Sequence, residues 1–213
     1  TKDKTLIQLL ENGWDQHLIA MCMLSDEVRE VCGAKYENGL VTFREDRPPN
    51  EELAKEVEEK LGKAKYGEIR RRAKVLNFGI IYGMGPAGFA SQIGGGATKE
   101  DGELAIKAYF KGFPGLQRGI KHIQRKCRRY GYVKTFLKRY CMIPEIHSED
   151  WGKKGAAERQ AFNYVIQGSA ADMLMLAMLL CHFDKRLKRM GFKMINQVHD
   201  ELVFIVKKKW MNK

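Results

Sequence analysis

The stretch Arg70 to Gly83, RRRAKVLNFGIIYG, constrains this chain more than any other. Arg70, Lys74, Phe78 and Tyr82 recur at intervals of four, so in a helix they share one slowly drifting face. Two cations stand at one end of that face and two aromatic rings at the other. A strip of this kind suits a ligand with a polyanionic tail and a flat, apolar head, as in a nucleoside triphosphate. Arginine offers a rigid fork of donors to phosphate oxygens and lysine a mobile point charge. A plain amphipathic helix with a basic edge would show the same period. Gly79 argues against that simpler pattern, because an interior glycine costs about 1 kcal/mol of helix stability and calls for some other reason. Gly83 is expected to cap the helix at its C-terminal end.

The pattern Arg-x-x-x-Lys-x-x-x-Phe-Gly-x-x-Tyr-Gly resembles the O helix of the family A DNA polymerases, the bacterial DNA polymerase I type. Every fixed position is matched. The resemblance implies that Arg70 and Lys74 hold the phosphates of an incoming nucleotide, that Phe78 packs by its sugar, and that Tyr82 abuts the templating pair. It also implies that Lys74 assists the leaving pyrophosphate.

Three other stretches carry the same likeness. Gly13-Trp14-Asp15-Gln16-His17 resembles a family segment whose histidine contacts the triphosphate, a role carried to His17. Ala156 to Asp172 contains Arg159, Asn163 and Gln167 at intervals of four, followed by Gly-Ser-Ala-Ala-Asp. Minor-groove edges offer acceptors on every base pair, so such donors can test pair geometry without reading sequence; the family uses this stripe at the primer-template end. Met194 to Val206 reads as two β-prone runs around a polar His199-Asp200-Glu201, a hairpin with carboxylates at its tip. Hard oxygen ligands there suit Mg²⁺. The resemblance makes Asp200 a metal ligand, Glu201 an auxiliary catalytic carboxylate, and His199 a neighbour of the primer end.

Composition agrees with a polyanionic partner. Lysine and arginine number 38 against 26 aspartates and glutamates, a formal charge of +12, and hydrophobic residues make up 44% of the chain. Such a chain buries a core and attracts nucleic acid. No apolar run is expected to reach transmembrane length. The five cysteines, scattered and odd in number, read as reduced thiols of a cytoplasmic protein, in a bacterial or phage-infected cell or an organelle.

The expected architecture is α+β: a helical fingers subdomain over 1–130, then part of an antiparallel palm over 131–213. Residues 4 to 24 should form two helical runs broken at Asn12-Gly13. Residues 25–62 are expected to be a charged, solvated insertion, with Asn50 capping a helix that carries Leu53, Val57 and Leu61. The Gly-rich passage after Gly83 reads as a turn before a helix over 99–110. A second, very basic helix over 116–130 is expected to meet DNA phosphates. Lys138-Arg139-Tyr140 stands where the family has a Gly-Arg-Arg-type turn.

The family's Asp-Tyr-Ser-x-Ile-Glu motif, which carries the other metal-binding aspartate, is not found in these 213 residues. Two-metal phosphoryl transfer needs carboxylates that hold two ions. The expected function is therefore template-directed DNA synthesis by a fragment or subunit, with primer-template DNA and dNTPs as partners and another polymerase chain or segment supplying that motif. A DNA-binding accessory subunit with a polymerase fold is the alternative. An HD-type phosphohydrolase would need a further His and Asp on helices. A single-subunit RNA polymerase fits less well with Phe78-Gly79 and Gln197-Val198-His199-Asp200-Glu201.

Overall fold

The computed structural model describes residues 3–37 and 40–210, the side chains of Lys4 and Thr5 apart. It is α+β: helices carry most of the chain, and the strands form three separate two-stranded antiparallel sheets. The chain divides into two compact units, 1–125 and 126–213.

The first unit opens with α1 (Lys4–Glu11), α2 (Gln16–Leu24) and α3 (Asp26–Cys32). Each starts on a side chain that accepts a backbone N–H: Asp3, Asp15 and Ser25. These caps satisfy donors that a helix start leaves unpaired. A short hairpin of β1 (Lys35–Glu37) and β2 (Leu40–Thr42) precedes α4 (Glu51–Leu61). Asn50 caps α4, accepting from Leu53 N at 2.9 Å. Then come α5 (Lys63–Ile81), α6 (Pro86–Ile93), α7 (Lys99–Gly112) and α8 (Pro114–Tyr130). The division between the units falls inside α8, whereas the sequence placed it after residue 130.

Two expectations need correction in this unit. Residues 25–62 are not simply solvated, because Val28, Cys32, Leu53, Ala54 and Val57 join Leu18, Met21, Cys22, Tyr66 and Ala73 in one buried cluster. Their charges lie on the outer faces of α3 and α4, which masks a narrow apolar stripe. The glycine-rich passage also holds a helix, α6, with Pro86 at its first turn and Gly94 at its end in the left-handed region, φ 66°. Arg71 of α5 donates to the Gln92 and Ile93 carbonyls at the end of α6.

α5 is the axis of the unit. Tyr66, Ala73, Leu76, Asn77 and Ile80 are buried along one side. At its end Gly83 adopts φ 70°, with Gly83 N–H to the Ile80 carbonyl at 3.0 Å and Met84 N–H to the Gly79 carbonyl at 2.7 Å. This is a Schellman cap, in which the residue after the left-handed position packs back on the helix. Met84 does so over Gly79, where an added Cβ would lie 3.0 Å from its sulfur. The interior glycine is there to admit that return.

In the second unit β3 (Tyr132–Lys134) pairs with β4 (Tyr140–Met142), and a 3-10 turn, Pro144–His147, leads to the 33-residue α9 (Trp151–Phe183). α10 (Lys185–Met190) and the hairpin of β5 (Lys193–Val198) and β6 (Glu201–Ile205) follow. α9 buries Ala157, Ala161, Phe162, Val165, Gly168, Ser169 and Asp172, while Met173, Leu176, Leu179, Leu180 and Phe183 beyond them are exposed. By length and composition this helix could cross a membrane, with a window of mean hydropathy 1.6. That corrects the expectation that no run is long enough: alanine, glycine and serine extend the apolar stretch without looking apolar residue by residue. Asp172, 4% exposed, is tied instead to Arg139 of the β3–β4 turn at 2.6 Å, so the helix is clamped to its own unit.

Candidate functional site

Sequence periodicity put Arg70, Lys74, Phe78 and Tyr82 on one face, and the structure adds what stands beside it. Arg70 is half-buried; Lys74, Phe78 and Tyr82 are exposed. The guanidinium of Arg70 donates through Nη1 to Asp15 Oδ2 at 2.8 Å and to the Tyr66 hydroxyl at 3.1 Å. Asp15 performs two tasks at once, since its Oδ1 also accepts from the His17 and Leu18 N–H groups at the start of α2. Burial works to raise the Asp15 carboxyl, but the hydrogen bond and charge of Arg70, with the two N–H groups, outweigh it and hold the pKa below the usual 3.8. The carboxylate therefore stays ionised and fixes one edge of the arginine, leaving the rest of the fork for another anion.

His17 belongs to the same constellation. Its Nδ1 lies 2.9 Å from the Asn77 side-chain amide, which also donates to the Gln16 carbonyl at 3.3 Å. Its ring stands 5.8 Å from that of Phe78, tilted by 53°. Burial is the largest influence on His17 and pushes its pKa below 6.5; the charges of Arg70 and Lys74 push the same way, and Asp15 opposes them. A neutral ring with Nδ1 occupied as acceptor carries its proton on Nε2. Lys74 has no salt-bridge partner among the described residues. The site thus gathers an anchored arginine, an uncommitted lysine, a neutral histidine donor and two exposed rings.

Asp15, Asn77 and Tyr66 were missed as site residues. Asp15 and Asn77 both lie inside quoted motifs, yet their partners are 55 and 60 residues away in the chain. A buried Asn between two helix-favouring runs was the available signal.

In the second unit Arg159 and Gln167 are exposed on α9, while Asn163 is half-buried with its carbonyl oxygen enclosed and unpartnered among the described residues. The serine and aspartate that follow serve the fold: Ser169 Oγ accepts from Phe136 N–H at 3.0 Å, and Asp172 pairs with Arg139. Arg139 also reaches the Tyr164 hydroxyl and the Gly168 carbonyl. It is a half-exposed clamp that ties the β3–β4 turn to α9.

His199 and Asp200 form the two-residue turn between β5 and β6, with His199 at φ 53°. Gln197 supports the turn by donating to the His199 carbonyl at 3.1 Å. Asp200 and Glu201 are exposed there. Two hard carboxylates on a tight, open turn fit a magnesium ion that retains waters and shares phosphate oxygens. No group of three or more potential metal ligands occurs among the described residues.

The family model described as DNA polymerase family A matches residues 36–213. The chain is 41% identical over 141 residues to DNA polymerase I of Streptococcus pneumoniae serotype 4, covering 65% of this chain and 16% of that protein. To the thermostable DNA polymerase I of Thermus aquaticus it is 34% identical over 196 residues, covering 92% of this chain and 23% of that protein. The chain thus spans less than a quarter of the length of these relatives. Among solved structures, the POL domain of Pol1 from M. smegmatis, in complex with DNA primer-template and dNTP, has a TM-score of 0.71 at 29% identity. That likeness covers 97% of this chain and 30% of the other.

Proposed function

The chain belongs to DNA polymerase family A, and from that premise we propose that it takes part in template-directed DNA synthesis as a portion of a larger polymerase. Unit 1–125 is read as fingers and unit 126–213 as part of the palm. The observation that carries this reading is the α5 face, where Asp15 and Asn77 preset Arg70 and His17 beside Lys74 and Phe78. Arg70, Lys74 and the Nε2–H of His17 would grip the triphosphate, Phe78 its sugar, and Tyr82 the templating pair. Arg159, Asn163, Gln167 and His199 would meet the primer-template.

In the reaction the primer 3′ oxygen bonds to the α-phosphorus, the bond from that phosphorus to the β-phosphate oxygen breaks, and pyrophosphate leaves. Lys74 neutralises or protonates that leaving group. Asp200, with Glu201 beside it, would hold Mg²⁺, which when bound supplies charge neutralisation at the phosphates. Two carboxylates do not complete a two-ion site, so a further polymerase segment or chain contributes the remaining carboxylate. We place the protein in a cytoplasmic setting.

The test is nucleotide use against DNA affinity. Lys74→Ala should cripple dNTP binding and, with the complementing segment present, incorporation, while primer-template affinity stays within about twofold. Equal loss of both would show that the α5 face is assigned wrongly. The accessory-subunit reading is favoured only by the small number of clustered ligands. DNA binding that persists with no incorporation in the assembled enzyme would establish it.

A further inference from the structure

We propose that the first turns of α9 form a stacking subsite for an unpaired nucleobase, centred on Trp151 and separate from the nucleotide and duplex residues assigned above. The proposal rests on the reading that nucleic acid is this chain's ligand.

Trp151 is 85% exposed. An indole that large contributes nothing to a core at that exposure, so its flat apolar face is available to a ligand. It borders a recess of about 440 Å³ lined also by Arg128, Lys154, Gly155 and Glu158, all within the second unit. Lys154 Nζ lies 5.6 Å from the indole ring. Arg128 is held at the recess by Glu158 at 2.7 Å, and Arg129 and Lys153 are exposed next to it in sequence.

The recess exists because residue 155 is glycine. Positions 151 and 155 are one helical turn apart and share a face, where a side chain at 155 would normally lie along the indole. Nothing in the packing requires glycine: an added Cβ would meet only Arg159 Nη1, at an ordinary 3.5 Å. The backbone is helical there, and a glycine in that setting costs about 1 kcal/mol. What the glycine leaves is an open slot beside an aromatic plane, with Lys154 and the Arg128–Glu158 pair around it.

A flat ring with phosphates on either side matches that slot. A duplex keeps its bases stacked on one another, so only an unpaired stretch can present a base to Trp151. Aromatic platforms among cations are how proteins hold single strands, and loss of one typically costs five- to hundredfold in affinity.

The experiment uses the whole 213-residue chain and compares it with Trp151→Ala and Gly155→Leu. Binding is measured to labelled single-stranded oligo-dU, to oligo-rU, and to a blunt duplex over a range of salt. Single-strand affinity should fall about tenfold or more in both variants. Blunt-duplex affinity and the salt slope should not change, since neither substitution removes a charge. Equal losses on both oligonucleotides mark base stacking as the contact, and a loss on one alone assigns the subsite to that sugar. Unchanged single-strand affinity in both variants overturns the proposal. Failure of the unsubstituted chain to bind blunt duplex would count against the DNA-synthesis reading instead, and leaves the single-strand comparison standing by itself.

Discussion

Asn77 sets the state of His17: its buried side-chain amide lies 2.9 Å from Nδ1 of the half-buried His17 ring. The amide nitrogen can only donate, so Nδ1 must accept, and the ring that fits this contact is the neutral one. A protonated ring would turn an N–H toward another N–H. Arg70 and Lys74 nearby disfavour the added charge as well.

The first prediction concerns pH. In the folded chain the His17 pKa lies below 6.5, the value it regains on unfolding. Protons therefore favour the unfolded state: the stability linked to His17 is complete above pH 6.5 and declines as pH falls from there toward the lowered folded value. Asp15 acts in a separate window, its contribution intact above 3.8 and lost as pH falls below that through its own lowered value. Denaturant midpoints of the natural chain should drop between pH 7.5 and 5.5, and the drop should shrink in His17→Asn. An identical drop in the variant would remove His17 as its source.

The face of α5 was legible because a period of four is a local property, readable without knowing what packs behind it. The Asp15–Arg70 and Asn77–His17 pairs were not, since each joins residues far apart in the chain and each member alone resembles an ordinary cap or helix residue. α6 shows a different failure. Pro86 and Gly94 are start and stop signals, but among so many glycines they read as loop. In residues 25–62 the stripe of Leu53 and Val57 was legible, but the high charge hid that it joins Val28, Cys32 and Ala54 in a core, because a helix needs only a narrow stripe to do so. The exposed carboxylates at 200 and 201 were legible as a hairpin tip, since β-prone runs flanked them on both sides.

Gly79 and Met84 should behave as a coupled pair. Gly79→Ala adds a methyl 3.0 Å from the Met84 sulfur and 3.3 Å from its Cβ, so the side chain must shift and the Schellman cap loosens. The expected cost is about 1 kcal/mol, despite alanine's better helix propensity. In a Met84→Ala background the same substitution should be neutral or stabilising. A double-mutant cycle from urea melts measures the difference; simple additivity would mean that Met84 is not what keeps residue 79 small.

Neighbouring residues of the β3–β4 turn should shift stability in opposite directions. Lys138 sits at φ 70°, where a side chain is strained and glycine is not. Lys138→Gly should gain about 0.5–1 kcal/mol, raising Tm by a few degrees. Arg139→Ala should lower Tm, because it removes the ion pair that joins the β3–β4 turn to the Asp172 carboxylate of α9. Thermal melts of the two variants decide the matter. A loss of stability in Lys138→Gly would show that the lysine side chain contributes more than its backbone strain removes.

Phe78 should govern how the assembled polymerase treats the sugar. The family resemblance puts this ring beside the 3′ position of the incoming nucleotide. Phe78 is 47% exposed and its ring stands 5.8 Å from that of His17 between centroids, so it is not part of a packed core. Phenylalanine presents only carbon there. A dideoxynucleotide then leaves a gap that nothing polar fills, and the natural chain should incorporate it poorly. Phe78→Tyr places a phenolic oxygen in the gap and restores a hydrogen-bonding group, while ring shape and rotamers stay the same. Folding should change by no more than about 0.5 kcal/mol, as for other exposed substitutions. The measurement is the ratio of kcat/KM for a dideoxy and a normal nucleotide in each variant, with the complementing polymerase segment present. Discrimination should largely vanish in Phe78→Tyr. An unchanged ratio would make Phe78 a packing partner of His17 and take the sugar contact away from the α5 face.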